Sequence, residues 1–448
     1  MLRSKLMRFF TPADKQLWFL ALPMILSNIS VPLQGLVDTA VIGHLDSTVY
    51  LGGVAVGTTA TNLLFMLLLF LRMSTTGLAA QAFGSDNKLA LARTLMQPLL
   101  LALIAAGAIL LLKRPLITLA AWSVGGAPDV MTQASAFMSV RWLGAPATLL
   151  NMVLLGWLLG VQYARGPVIL LVTGNLVNIL LVLWFVTGIG WGVRGAAAAT
   201  VIAEYCTLAI GLVMVWHVLR LRAVAPDLIK QGWRGRYGHL LRVNRDILLR
   251  SFILQFCFTL LTVAGARMGN DIVAVNAILL MFLTFSAYAL DGLAYAVEAC
   301  SGQAVGARDS ARLSAVWHAA CRQAGLVALL FSLFYLLSGP QIISLLTSLP
   351  ELQVLAAHYL GWQIVLPLVG VWCYLLDGMF IGAMRASDMR DSMAIAAAGY
   401  LLTLLTLPVL ENHGLWLAMM VFLSLRGATL WFIWRREWQL GRWFSHIQ

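Results

Sequence analysis

Five acidic residues lie inside long apolar stretches of the sequence, where a charged side chain is costly. They are Asp38, Glu204, Asp291, Glu298 and Asp377. A carboxylate in such surroundings is tolerated when it takes up a proton, binds a cation or pairs with an arginine. The five residues are therefore candidates for proton or cation binding, and each also has a purely structural alternative.

Asp38 is the first candidate because two prolines precede it in the same apolar stretch. Pro23 and Pro32 each remove a backbone amide, so a helix can bend near the acid. Protonation of Asp38 would remove the cost of its charge, and the bend could follow the proton. The structural alternative is an interfacial aspartate at the outer end of a long span.

The polar residues of the later stretches recur at helical spacing. Thr200 and Glu204 are four residues apart and share a helix face, and Asn178 lies on the preceding stretch. For this group the structural alternatives are a threonine bonded to its own backbone and a glutamate paired with an arginine.

The second half of the chain offers three acids. Asp291 and Glu298 are seven residues apart and also share a face, and the neighbours of Asp291 are apolar or small. Glu298 has a structural alternative. For Asp377 the structural alternative is an ion pair with Arg385, two helical turns along the chain.

The elements that must position these residues are membrane helices. The chain of 448 residues is 61% apolar and only 11% charged, whereas a soluble domain carries about 25% charged residues. Twelve stretches are long enough to cross a bilayer. They lie at about 17 to 43, 49 to 80, 94 to 112, 136 to 161, 167 to 187, 195 to 219, 247 to 266, 272 to 305, 317 to 338, 354 to 384, 392 to 410 and 414 to 434.

The net charge of +12 is explained by membrane orientation. If the N-terminus is cytoplasmic, 23 Lys and Arg fall in cytoplasmic segments and 5 on the opposite side, with Arg72 and Arg426 inside spans. This bias predicts that both termini are cytoplasmic. The basic charge is then no sign of nucleic-acid binding, and no nucleic-acid partner is expected.

The two halves of the chain repeat one another at a constant offset along the sequence. Six spans in each half predict two lobes related by a pseudo-twofold axis along the membrane normal. We expect an N-terminal lobe over 1–219, a cytoplasmic loop over 220–246 and a C-terminal lobe over 247–448. Such a pair of bundles suits alternating access. The matching residues are Gln81, Ala82 and Gly84 with Gln303, Ala304 and Gly306, Gly156 and Gly160 with Gly378 and Gly382, and Gly192 and Ala196 with Gly414 and Ala418.

Several chemistries are disfavoured. The five cysteines have no metal-ligand or redox spacing, the histidines form no ligand-spaced pair, and no Gly-Lys-Ser/Thr nucleotide loop occurs. A membrane-embedded enzyme would need a catalytic cluster at one face, and none is visible. We therefore expect neither an enzyme nor a metal or organic cofactor.

Four segments resemble the multidrug and toxic compound extrusion (MATE) transporter family, in particular its DNA-damage-inducible protein F branch. They are Leu22-Pro23 followed by Gly35-Leu36-Val37-Asp38-Thr39, the Gln-Ala-x-Gly ends of spans two and eight, Trp191-Gly192-Val193-x-Gly195-Ala196-x-Ala198-x-Thr200, and Asp377-Gly378 through Arg385. Their order and spacing extend over essentially the whole chain.

The resemblance implies a V-shaped pair of six-helix lobes that exports bulky, often cationic, amphipathic molecules in exchange for protons or sodium ions. By position, Asp38 matches the carboxylate that binds the proton or cation, with Gln34, Asn178 and Thr200 as its neighbours. A second acid is common in the family at the position of Val182, and we offer Glu204 as its substitute.

In the second lobe, a branch of the family uses a span-seven carboxylate for a cation, where this chain offers only Gln255. Proton coupling is therefore favoured over sodium coupling. Asp291 and Asp377 remain candidates for contacts with substrate or protons.

Taken together, these expectations describe a monomeric, multi-pass exporter in a bacterial inner membrane, whose partners are the bilayer and small amphipathic molecules. The coupling ion is H⁺, with Na⁺ as the alternative. Lipid-linked oligosaccharide flippases of the same superfamily are the other candidate function. They would need a cationic cleft, and of the arginines only Arg72 and Arg426 lie well away from the ends of the predicted spans.

Overall fold

The computed structural model describes residues 10–445, apart from the side chains of Val31, Leu33 and Gln34. Within that range twelve helices are long and apolar enough to cross a membrane, which confirms the predicted number. We label them in chain order as α1 (Pro12–Gly43), α2 (Thr48–Gly84), α3 (Lys88–Leu111), α4 (Pro128–Gly160), α5 (Arg165–Gly188), α6 (Gly192–Leu221), α7 (Gly238–Arg267), α8 (Asn270–Gly306), α9 (Ser310–Leu346), α10 (Pro350–Gly382), α11 (Ala386–Leu410) and α12 (Asn412–Gln439).

All twelve helices begin before the apolar stretch that predicts them, and polar residues cap the first turns of some of them. Asn87 accepts a hydrogen bond from the Ala90 amide at the start of α3, and Asp309 accepts one from the Arg312 amide at the start of α9. At the start of α1, the Thr11 amide donates to the Asp14 carboxylate at 2.6 Å. Two short helices, Lys113–Val124 and Pro226–Gln231, lie in connections.

The contacts divide the chain into two units. The N-terminal unit comprises Leu26–Leu240, and the C-terminal unit comprises Leu241–Gln448 together with Met1–Ile25. The sequence-based division placed residues 241–246 in the loop between the lobes, and it assigned the start of α1 to the first lobe. Polar contacts explain the second difference, since Arg322 donates to Asp14 at 2.9 Å and the Trp18 indole donates to Gln323 at 3.0 Å.

Each unit follows the same packing scheme around one central helix. In the N-terminal unit α4 packs against α2, α3 and α6, and α5 packs against α6. In the C-terminal unit α10 packs in the same way against α8, α9 and α12, and α11 packs against α12. The repeat in the sequence is thus a repeat of helix packing.

Glycines on the central helices allow the closest of these approaches. A Cβ atom at Gly156 would lie 2.6 Å from the Arg72 carbonyl oxygen, and one at Gly378 would lie 2.7 Å from the Ala294 carbonyl oxygen. Both pairs are related by the offset of the repeat. Gly378 therefore serves helix packing, because real Cβ atoms do not come so close to a backbone oxygen.

A single added methyl group tests this packing. We expect Gly378→Ala to lower the free energy of unfolding by about 1–3 kcal/mol, because α8 and α10 must separate. Gly361→Ala is the matched control on the same helix, since no atom lies within 4 Å of its Cβ position, and it should be neutral or stabilising by up to about 1 kcal/mol. Thermal unfolding in detergent measures both, and equal effects would contradict the packing role.

Candidate ion and substrate site

A polar cavity of about 180 Å³ lies inside the N-terminal unit, between α4, α5 and α6. Sites for drug-sized ligands usually measure about 300–1,000 Å³. The cavity is therefore suited to water, an ion or one polar group of a larger molecule. Its polar lining consists of Thr148, Asn151, Asn175, Asn178, Thr200, Glu204 and Thr207.

Asn178 connects this cavity to Asp38. Its amide oxygen accepts a hydrogen bond from Thr200 Oγ1 at 3.1 Å, and its side chain interacts with the Asp38 carboxyl group. Asn178 is buried, with 1% of its surface exposed. Three of the predicted residues, Asp38, Asn178 and Thr200, therefore come together although they lie on three different helices.

Asp38 has an unusual environment for a carboxylate between apolar helices. Its Oδ1 atom is buried and has no hydrogen-bond partner among the described side chains, and the same is true of Asn178 Nδ2. Neither does Asp38 form an ion pair within the described part of the chain. An ionised carboxylate that lacks a nearby cation gains stability by binding a proton.

Contacts of neighbouring residues hold α1 and α6 against α5. The Asn175 amide donates to Ser30 Oγ at 2.6 Å, which ties the α1 segment before Asp38 to α5. Gly174 lets α6 approach α5 closely, because a Cβ atom there would lie 2.5 Å from Thr207 Oγ1. The side chain of Gln34, the fourth predicted member of the group, lies outside the described residues.

Glu204 lines the same cavity but is held from a different helix. Asn151 Nδ2 donates to Glu204 Oε2 and to the Glu204 carbonyl oxygen, each at 3.0 Å. The buried Arg141 guanidinium attracts Glu204 electrostatically and stacks 5.2 Å from the centre of the Phe65 ring. No hydrogen bond joins Glu204 to Asp38 in the described residues.

Val182, where the family often has a second acid, lies in an apolar cluster. The residue is fully buried and packs with Ile42, Phe185 and Ala199. Directly after it, α5 widens to a π-helix over Leu183–Gly188. Among the described side chains, Asp38 is therefore the only carboxylate that interacts directly with Asn178 or Thr200.

Asp377 lies in the C-terminal unit, in a charged cluster that the sequence did not predict. Arg250 donates to Asp377 Oδ2 at 2.5 Å and Arg426 donates to the same atom at 2.6 Å. The suggested pairing with Arg385 is wrong, because Arg385 pairs instead with Asp388 and Glu437. Local spacing along one helix favoured Arg385, whereas packing against α7 and α12 supplies the actual partners.

Asp291 also lies in the C-terminal unit and is half-buried on α8. Tyr288 and Tyr374 are within electrostatic range of its carboxylate. Glu298, two turns farther along α8, is buried at the contact with α10, where its carbonyl oxygen lies beside Gly382. Neither residue lines the cavity of the N-terminal unit.

The structure adds residues that sequence patterns did not indicate. Asn151 and Arg141 lie on α4, and the sequence-based topology had counted Arg141 among the residues outside the spans. Arg250 was likewise counted in a loop but is buried on α7. The available signal was helical spacing, because Thr148 lies three residues before Asn151 and both side chains line the cavity. Within residues 10–445 no cluster of three or more His, Cys, Asp or Glu could hold a metal ion.

Solved transporter structures have folds similar to that of this chain. The chain matches a structure described as the outward-facing conformation of a multidrug resistance MATE family transporter, with a TM-score of 0.82, 21% identity and coverage of 97% of this chain and 98% of the other. It also matches a transporter from Pyrococcus furiosus with a TM-score of 0.81, 21% identity and 98% coverage of both chains. These matches confirm the predicted fold.

Sequence comparisons identify closer relatives. The chain is 66% identical over 444 residues to DNA damage-inducible protein F of Escherichia coli strain K12, covering 99% of this chain and 97% of that protein. It is 27% identical to a probable multidrug resistance protein NorM of Shewanella oneidensis, covering 94% of each. The MatE family model matches residues 23–184 and 247–409. The chain is thus a membrane transporter rather than an enzyme, and it belongs to the MatE family.

Proposed function

We propose that the protein exports amphipathic, often cationic molecules in exchange for protons that bind to Asp38. The observation that carries this proposal is a contrast in charge compensation. Asp377, Asp14 and Glu437 in the C-terminal unit each contact an arginine, whereas Asp38 has no ion pair among the described residues and lies within interaction range of the neutral amide of Asn178. A carboxylate without a fixed countercharge can bind and release a proton.

The hydrogen bonds around Asp38 would respond to that proton. Thr200 donates to the Asn178 oxygen, so the Asn178 amide nitrogen, which has no partner at hydrogen-bond distance, is the donor that Asn178 can offer to Asp38. This direction stabilises an ionised Asp38. Protonation would weaken the attraction between Asn178 and Asp38, and the polar lining of the cavity could then change.

Exchange of protons for substrate follows if binding of a proton weakens binding of the substrate. A cationic group in the cavity would be stabilised by ionised Asp38 and by Glu204, and protonation of Asp38 would weaken its binding. Proton entry would thus favour substrate release. The names of the relatives, which include multidrug resistance proteins, support substrates of this kind.

Protons fit this site better than sodium ions. Sodium would need several oxygen ligands around the carboxylate, and the position of a second acid is held by the buried Val182. Protonation needs only the carboxylate itself. We therefore propose H⁺ as the coupling ion.

A flippase for lipid-linked oligosaccharides remains the weaker alternative. Such a substrate is anionic and would need unpaired cationic side chains. Arg250 and Arg426 both contact Asp377, and Arg385 contacts Asp388 and Glu437. The positive charges among these buried residues are thus largely neutralised.

The first prediction concerns Asp38. In proteoliposomes with an imposed pH gradient, Asp38→Asn should abolish gradient-driven export of a cationic dye, because an amide cannot take up the proton. Asp46→Asn is the control, since Asp46 is exposed just beyond α1, and it should transport normally. An imposed sodium gradient without a pH gradient should drive no export in the wild type. Full proton-driven transport by Asp38→Asn would contradict the proposal.

The second prediction concerns Glu204. Glu204→Gln keeps an oxygen that can accept from Asn151 but removes the negative charge, so we expect the KM for cationic dyes to rise about fivefold, as for the loss of roughly 1 kcal/mol. The maximal rate and its dependence on the pH gradient should persist. A neutral dye should show little change. Loss of proton coupling in Glu204→Gln would instead make Glu204 a coupling residue.

The third prediction concerns location and orientation. We propose that the protein spans the bacterial inner membrane with both termini in the cytoplasm, because positive residues are concentrated in the corresponding segments. Green fluorescent protein fused to the C-terminus should fluoresce, and alkaline phosphatase inserted at Gly126, between α3 and α4, should be active. The reverse pattern would exclude this orientation.

A further inference from the structure

A groove of about 570 Å³ lies on the C-terminal unit and is lined mainly by apolar side chains. Trp317 of α9, Trp372 of α10 and Trp431 of α12 are among its walls. Trp372 and Trp431 are 43% and 46% exposed, so the groove is open along its length. Its volume lies within the range of small-molecule sites.

The groove exists because two helices pack on a third without filling the space between them. α9 and α12 both pack against α10, which forms the floor. The α12 wall carries the small residues Gly427 and Ala428. The ring of Trp317, which lines the groove, lies with its centre 6.1 Å from that of Trp434 on α12.

The repeat gives an internal comparison. At the offset that relates the two halves, Gly427 and Ala428 correspond to Tyr205 and Cys206 of α6. The Tyr205 hydroxyl donates to the Leu143 carbonyl oxygen of α4 at 3.0 Å. The large side chain of Tyr205 therefore bridges α6 and α4. At the corresponding place in the C-terminal unit, Gly427 and Ala428 leave open space.

A positive charge lies beside Trp431, one of the residues that line the groove. Arg435 is one helical turn beyond Trp431, and its guanidinium carbon lies 5.2 Å from the centre of the Trp431 ring. Arg435 is exposed and forms no ion pair with any described residue. Its neighbour Arg436 pairs with Glu437, which is also paired with Arg385. Arg435 thus adds an uncompensated positive charge beside the three tryptophans.

We propose that this groove binds one anionic phospholipid, with an acyl chain along Trp372 and Ala428 and the phosphate at Arg435. The chain crosses the membrane, so an exposed apolar groove on its helices is in contact with lipid. Basic residues beside a groove between membrane helices favour anionic headgroups, and tryptophans favour the headgroup level. Charge complementarity therefore selects an anionic lipid over a cationic export substrate.

Native mass spectrometry of the purified full-length protein tests the proposal with phosphatidylglycerol as the probe. The wild type should bind one phosphatidylglycerol molecule more tightly than any further phosphatidylglycerol molecules, and more tightly than phosphatidylcholine. Ala428→Phe should remove this tight site, because the ring fills the groove at an exposed position. Arg435→Gln should weaken it about fivefold, as expected from about 1 kcal/mol for one basic residue near an anionic surface.

Arg220→Gln is the matched control. Arg220 lies 5.2 Å from the ring of Trp216 on α6, so it has the same contact as Arg435, but it belongs to the N-terminal unit, whereas the groove belongs to the C-terminal unit. Lipid binding by the Arg220→Gln variant should equal that of the wild type. Equal tight binding by Ala428→Phe and the wild type would overturn the proposal, as would equal effects of Arg435→Gln and Arg220→Gln. Competitive displacement of the lipid by a cationic dye would also overturn it.

Discussion

A charge between apolar helices must be compensated, and this constraint organises the polar residues of the protein. In the C-terminal unit the compensation is electrostatic, since Asp377 accepts hydrogen bonds from Arg250 and Arg426. Removing one partner of such a buried cluster leaves the other charges unpaired and costly. The cluster therefore fixes α7, α10 and α12 together and is poorly suited to releasing a proton.

The N-terminal unit solves the same problem differently. Asp38 faces Asn178, whose amide is neutral, and Thr200 stabilises that amide from the next helix. Neutral dipoles stabilise an anion less than an arginine does, so the balance between the protonated and the ionised carboxyl group stays adjustable. Polar residues of the adjoining cavity can respond to that balance because Asn178 lines the cavity and also interacts with Asp38.

The internal repeat supplies a common scaffold, and the side chains then differ between the units. Gly156 and Gly378 allow the same close helix approach in each unit. In contrast, Asp377 corresponds to Leu155 in the repeat. The C-terminal unit carries the paired acid and the open groove, whereas the N-terminal unit carries the uncompensated acid and the polar cavity. Similar backbones can thus hold different chemistry, because packing depends on the glycines and function on the residues beside them.

The amino-acid sequence alone predicts the twelve spans and the internal repeat, because both depend on the pattern of residues within the segments themselves. Its resemblance to a family also indicated Asp38, Asn178 and Thr200 as neighbours. Only the tertiary structure decided that Asp377 pairs with Arg250, 127 residues away, and not with Arg385. It also decided that Asn151 holds Glu204. Such contacts depend on which helix faces meet, and helical spacing within one segment does not specify the residues on the helix opposite.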